Sequence, residues 1–377
     1  TFIRSTGSVR LRQTGFRILQ VLKSPRNQVG VETARNISTT CCRCGIHRGQ
    51  VIKSIIQDGP AKQRLSGSWF STNSHAFPEE TSSPENLTAK DLALLHRNVR
   101  EALRTDQSGL QEVAQYYFDG KGKAFRPMIV LLTARACNFH THGANSKLAE
   151  SQRQIAMIAE MIHTASLMHD DVIDNADTRR NKTAINEKWG QRKAILAGDF
   201  VLSTSSQLLA RIGNEEVVLL LSQVIDDLVR GEFMQLGSKM DDNERFSHYL
   251  RKTFKKTASL MAYSCQAVAI LGQCDEDTCR VAHEYGRNVG MAFQLIDDVL
   301  DFVSNDSVLG KPTSADLKLG LATGPVLFAA EKFPELDALI MRRFSEPGDV
   351  QRAREAVAKT DGIEQTRYIA NQHSLEA

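Results

Sequence analysis

From about Thr88 to Ala377, apolar side chains recur at every third and fourth position, and no stretch alternates apolar with polar residues as a half-buried strand does. A chain patterned this way has only helices with which to build a core. The pattern predicts helices over about 88–104, 107–118, 127–139, 149–176, 192–212, 214–236, 246–272, 276–304, 315–332 and 348–359. Thr88, with Asp91 three residues on, reads as a capping box that uses Asp in place of Glu or Gln, and Pro127 falls where a helix begins. The nine prolines are sparse in the middle of the chain. There is no Rossmann glycine signature and no repeat of solenoid length. The expected fold is all-α: a single large helical bundle over residues 87–377, preceded by a leader over residues 1–86.

Residues 1–60 hold ten Lys or Arg against two acids, Glu32 and Asp58. Arg4, Arg10, Arg12, Arg17 and Arg26 alternate with apolar residues such as Leu11, Phe16 and Ile18, and residues 61–86 then turn rich in Ser and Thr. That is the pattern of a mitochondrial transit peptide, which makes the mitochondrial matrix the expected destination. The competing reading is a basic tail that touches RNA or membrane. Over the whole chain the net charge is only +3, which does not describe a nucleic-acid binder. No apolar run is long enough for a transmembrane segment, the densest lying at 217–221. Of the seven cysteines, Cys41, Cys42 and Cys44 crowd one stretch without the second ligand pair that a zinc finger needs. Cys137, Cys265, Cys274 and Cys279 are scattered, so reduced thiols are expected.

Two acidic clusters stand out: Asp170, Asp171 and Asp174 in HDDVID, and Asp297, Asp298 and Asp301 in QLIDDVLD. Each has the spacing i, i+1, i+4, which on a helix spreads three carboxylates over about 100° of one face. Surface aspartates are usually solvated. Here the preceding residues, including Ile155, Ile158, Met161, Ile162 and Met168, and Val289, Met291, Phe293 and Leu295, are apolar on most sides of the wheel, as in a buried helix. Two carboxylates about 5 Å apart repel by about 3 kcal/mol at an effective dielectric of about 20. A divalent cation removes that repulsion, and an all-oxygen donor set suits Mg²⁺ bridging to substrate phosphates.

Six carboxylates cannot receive a phosphate without cations. Lys123 and Arg126, in GKGKAFRP, sit just before a helix start, where glycines and backbone N–H groups favour an anion, although such a string alone reads as an ordinary loop. Arg179 and Arg180 follow the first cluster, and an Arg fork matches phosphate oxygens. His163, seven residues before Asp170, shares its helix face; it reads equally as a satisfied core histidine. Lys256, Thr257 and Lys311 are individually unremarkable, and Gln294 lies on the carboxylate face of its helix.

Together the stretches YYFDGKGKAFRP, EMIHTAS, LVRGEF, FKKTASL, FQLIDDVLDF and GKPTSADLKLGLATGP resemble the trans-prenyltransferase family of polyprenyl diphosphate synthases, over about residues 88–377. The resemblance implies an isoprenoid-synthase bundle with a central active-site cavity. It implies a Mg²⁺-dependent enzyme that condenses isopentenyl diphosphate onto an allylic diphosphate, farnesyl or geranylgeranyl, to make the decaprenyl or nonaprenyl side chain of ubiquinone. Asp170, Asp171 and Asp174 then hold metal on the allylic diphosphate, and Asp297, Asp298 and Asp301 hold more from the opposite helix. Lys123, Arg126, His163 and Arg180 bind isopentenyl diphosphate, while Arg179, Lys256, Thr257, Gln294 and Lys311 serve the allylic side. Ala165 and Ser166, both small, leave the floor of the product pocket open; small residues for tight helix packing are the alternative. A second, related synthase subunit in a hetero-oligomer and a peripheral membrane contact for product release are also implied. So is a further helix or two after Ala377, making the chain a truncated one.

Three other readings compete. A terpene cyclase, a lyase, shares the helices and one aspartate cluster but usually replaces the second with an Asn, Ser, Glu type of motif. A non-catalytic subunit is expected to lose the aspartates or the arginine pair. A purely structural bundle makes the buried carboxylates costly.

Overall fold

A computed structural model describes residues 83–120, 122, 124–236, 242–303 and 314–377, with side chains described from residue 244 in the segment that begins at 242. All of these fall in one compact unit, Ala76–Ala377. The leader, Cys41, Cys42, Cys44, Lys123 and Lys311 lie outside the described residues.

The first helix, α1, spans Pro84–Ala102 and starts earlier than the sequence predicts. Its N-cap is Ser83, whose Oγ accepts from the Asn86 N–H at 3.2 Å. Thr88 lies inside the helix and bonds back to the Pro84 carbonyl, and Asp91 forms ion pairs with Arg135 and Arg153; the capping box is therefore not formed. Next come α2 (Ser108–Gln115), α3 (Phe125–His142) and α4 (Glu150–Ile173). Strands β1 (Thr178–Arg179) and β2 (Lys182–Thr183) form a minute antiparallel hairpin that the helical periodicity does not foresee. Its two turn residues, Arg180 and Asn181, have φ of 53° and 59°, the left-handed pair of a type I′ turn.

The chain continues through α5 (Ile185–Trp189), α6 (Gln191–Ile212) and α7 (Glu215–Leu236). The predicted helix over 246–272 is three pieces: α8 (Asp242–Thr253), a π-helical turn over Phe254–Ala258, and α9 (Ser259–Leu271). Then follow α10 (Glu276–Val303), two short helices, α11 (Ala315–Lys318) and α12 (Gly324–Ala330), in place of one over 315–332, and α13 (Glu335–Met341), α14 (Asp349–Ala358) and α15 (Gly362–Glu376).

Helix α4 packs on α3, α6 and α9, and α10 packs on α9 and α15. The main core holds Ile155, Ile158, Met161, Ile162 and Met168 of α4, all essentially inaccessible, together with Val99, Leu131, Val201 and Leu221 from the surrounding helices. That enclosure explains why α4 is apolar on nearly every side until its last turn, which carries Asp170 and Asp171. Helix α10 brings its own carboxylates to its C-terminal end. No helix among the described residues is long and apolar enough to cross a membrane.

Candidate active site

The two aspartate clusters are not rows of three equivalent ligands. In each, the middle carboxylate is buried and already engaged. Asp171 accepts from the Tyr117 hydroxyl at 2.6 Å and from Arg179 at 2.7 Å. Asp298 accepts from the Tyr249 hydroxyl at 2.5 Å and from the Gln294 amide at 2.8 Å. The helical wheel supplies the reason: residues i and i+4 lie about 40° apart, while i+1 turns about 100° from i and meets the neighbouring element instead. Asp171 is thus held by Tyr117 and Arg179, and Arg179 by Asp171.

Asp170 and Asp174 remain on the open side. Burial raises both, Asp170 to about 6, helped by Glu232 and by a cluster neighbour, Asp174 for Asp170 and Asp171 for Asp174, while Lys256 and Arg179 oppose the shift. In the second cluster, burial raises Asp298 to about 6. Asp297 is exposed. Asp301 accepts from the backbone N–H groups of Ala315 and Asp316 at 3.0 and 3.3 Å, which ties α11 to α10. That placement brings in a fourth carboxylate, Asp316, raised to about 7 by burial and by the charges of Asp298, Asp301 and Asp297.

Between the clusters runs the π turn. Such widened turns concentrate at functional sites. Lys256 pairs with Glu232 and donates to Gln235 Oε1 at 3.1 Å, and the neighbouring Lys255 pairs with Asp227. The Thr257 hydroxyl donates to Gln294 Oε1 at 2.8 Å, so Thr257, Gln294 and Asp298 form a continuous chain of hydrogen bonds. Glycines on two flanking helices let the turn sit where it does. A Cβ on Gly231 of α7 would lie 2.7 Å from Lys256 Cγ, and one on Gly290 of α10 would lie 2.5 Å from Ala258 Cα.

Beside this cleft, Arg126 donates to His163 Nε2 at 2.9 Å. Burial and three arginines hold His163 far below its ordinary range, so it is neutral and accepts. Arg126 also lies over the Phe293 ring, 5.6 Å from its centroid, and burial lowers it to about 10. Arg180 reaches Gly122, where a Cβ would approach its guanidinium to 3.2 Å. Beneath them Glu160 is buried, raised by desolvation and partly offset by Arg180 and Arg126. The structure therefore assembles Arg126, His163 and Arg180 from three separate segments.

Residue patterns alone did not single out Glu160, Glu232, Asp316, Tyr117 or Tyr249. The signals were present: a lone acid in the apolar run of α4, one in LVRGEF, and one in PTSADLKLG. Of the two chain-length residues, Ala165 is fully enclosed in the main core, whereas Ser166 is half-buried and its hydroxyl bonds the His163 carbonyl at 2.8 Å.

Two carboxylate-rich helix ends facing one another, with cations between and beside them, suit a diphosphate held through divalent metal. Residues 107–357 match the polyprenyl synthetase family, and the chain belongs to that family. It is 61% identical over 299 residues to a human all-trans-polyprenyl-diphosphate synthase, PDSS1, covering 79% of this chain and 72% of that one. It is 44% identical over 326 residues to subunit 1 of the decaprenyl-diphosphate synthase of Schizosaccharomyces pombe, covering 80% and 86%. A crystal structure of polyprenyl synthase from Caulobacter crescentus, complexed with calcium and isoprenyl diphosphate, superposes with a TM-score of 0.70 at 29% identity, covering 79% and 91%. The chain is a trans-polyprenyl diphosphate synthase, condensing isopentenyl diphosphate onto an allylic diphosphate for the ubiquinone chain. It is mitochondrial, as are its relatives in rice, Neurospora crassa and Yarrowia lipolytica. The family is divalent-metal-dependent.

Proposed function

We propose that the metal is Mg²⁺, that Asp170 and Asp174 face Asp297 and Asp301 across the allylic diphosphate, and that Arg126, His163 and Arg180 bind isopentenyl diphosphate. The observation that carries this is the division of labour within the clusters: Asp171 and Asp298 are each spent on a tyrosine, Asp170 and Asp174 are half-buried, Asp297 is exposed, and Asp301 also takes the backbone N–H groups that open α11. Among the described residues no three side chains form a ready-made metal cage. Mg²⁺ keeps several waters and takes one or two carboxylates plus phosphate oxygens.

Bound Mg²⁺ supplies positive charge to the departing diphosphate. Lys256, fixed by Glu232 and Gln235, adds a preorganised cation on the same side. Thr257 and Gln294 hold Asp298 in orientation. Arg126, kept in place by neutral His163, orients the second diphosphate so that the two substrates meet in a fixed pose. Lys123 and Lys311 are assigned to the two diphosphates by resemblance. No side chain identifies itself as the base for the proton lost.

The product is long, decaprenyl or nonaprenyl, and its tail runs past Ser166. Residues 1–86 form a cleaved matrix-targeting leader ahead of the synthase domain, which a fluorescent reporter fused to 1–86 tests; a diffuse cytosolic signal excludes it. A second synthase subunit covers α7, where Leu219, Val229, Phe233 and Leu236 are exposed. The deciding experiment is turnover of farnesyl diphosphate and labelled isopentenyl diphosphate with Mg²⁺, with and without the partner, with products sized by chromatography. Absence of any elongated product under every condition refutes the reading.

A further inference from the structure

We infer that Lys252 is a further diphosphate-binding cation of this enzyme, taking an oxygen of the allylic diphosphate between the two aspartate clusters. The inference rests on the two-cluster reading of the site and adds a residue that lies outside the motifs.

Lys252 sits near the end of α8, one turn before the π turn that carries Lys256. Its half-buried side chain lines a pocket with Gln235, Tyr249, Gly320 and Leu321. The charges that act on it are those of Asp298, Lys256, Asp316 and Glu232, which belong to both halves of the site. None of these acids reaches it. Four other cations around the cleft have hydrogen-bonding partners: Lys255 with Asp227, Lys256 with Glu232, Arg179 with Asp171, and Arg126 with His163. Among the described residues Lys252 makes no ion pair, and its ammonium lies 5.6 Å from the centroid of the Tyr249 ring.

A half-buried ammonium with no ion pair gives up part of its hydration without a compensating charge. The charge is retained where something anionic arrives to take it. Here the anion has to reach a pocket bordered by Gln235, which is bonded to Lys256, and by Tyr249, which is bonded to Asp298. The departing diphosphate is the anion that belongs at that point. A lysine, a compact point charge on a long stem, can follow the phosphate as it moves away.

The test uses the full chain with its partner subunit and Mg²⁺. Lys252→Met is expected to raise KM for farnesyl diphosphate about tenfold, to weaken binding of inorganic pyrophosphate by a similar factor in calorimetry, and to leave KM for isopentenyl diphosphate within about twofold. Its Tm is expected to equal or exceed that of the unaltered chain, because an unpaired charge has been removed. Lys252→Arg is expected to restore most of the affinity. The inference is overturned if both KM values and the pyrophosphate affinity stay within about twofold of the unaltered chain. It is equally overturned if Tm falls and both KM values rise together, or if Lys252→Met fails to fold, since either makes the ammonium a structural group. Inactivity of the unaltered chain would refute the reading of the site itself, a result distinguishable from all of these.

Discussion

Tyr249 and Asp298, 49 residues apart, share a buried hydrogen bond of 2.5 Å in which the phenol donates. Burial and the adjoining carboxylate hold that phenol well above its ordinary range, so it stays a donor at every physiological pH. The bond favours the ionised form of Asp298 against the burial that disfavours it. In Tyr249→Phe the carboxyl loses that support, and the acid limb of the pH–rate profile is expected to move to higher pH. The buried oxygen left unpaired costs about 1–3 kcal/mol of stability. An unmoved acid limb counts against a functional role for this bond.

The members of a cluster differ in what their removal does. Asp170→Asn is expected to lower kcat by about 100-fold or more with Tm unchanged or raised, since an unpaired buried charge is lost. Asp171→Asn is expected to lower Tm as well, because an amide oxygen can replace only one of the two carboxylate oxygens that Tyr117 and Arg179 use, and the ion pair with Arg179 is lost. Thermal unfolding beside steady-state kinetics separates the two. Identical Tm changes would refute the division.

Five carboxyls among the described residues are raised: Asp170 and Asp298 to about 6, Asp316 to about 7, and Asp174 and Glu160 above their ordinary values. A carboxyl whose folded pKa exceeds its unfolded value of about 3.9 stabilises the fold fully below that unfolded value, and the contribution is lost as pH climbs through the folded pKa. Metal-free protein in EDTA is therefore expected to lose Tm between about pH 4 and pH 7. Added Mg²⁺ is expected to raise Tm more at pH 8 than at pH 5, since protons compete for the same oxygens. A metal-free Tm that increases across this window would refute the assignment.

Gly290→Ala places a methyl group 2.5 Å from the backbone of Ala258, where no side chain can swing away. The expected cost is about 1–3 kcal/mol, read by urea titration. Activity is expected to fall further than stability alone accounts for, because α10 and the π turn carry opposite sides of the cleft.

Product length is expected to respond to Ser166→Phe, with a shift toward shorter chains and the first condensation preserved. Ala165→Phe, introduced into a closed core, is expected to cost stability before it changes product length. Unchanged product from a folded Ser166→Phe variant would place the tail elsewhere.

Much of this was legible in the sequence because helical periodicity is local. The bounds of α6 and α7 fall within a residue of the pattern, and the apolar surroundings of Asp170 and Asp297 marked them as unusual. What escaped depends on long-range placement. Asp171 cannot be told from Asp170 until Tyr117, 54 residues earlier, comes into view. The hairpin that aims Arg180 is only two residues per strand, too short to show alternation. The cap at Ser83 was hidden by a better-looking pattern five residues on.

The π turn has a consequence for how this site is encoded. A widened turn adds a residue to a helix without breaking it, so the rod from Asp242 to Leu271 changes phase by about 100° along its length. Upstream, the azimuth that meets the carboxylates belongs to Tyr249; downstream, α9 carries residues sealed in the interior. Removing a single residue from 254–258 would leave the helical content and the amino-acid inventory almost untouched, while rotating Lys256 into the wrong quadrant. At this point the chemistry is stored as an angular offset, a quantity to which composition and circular dichroism are both blind.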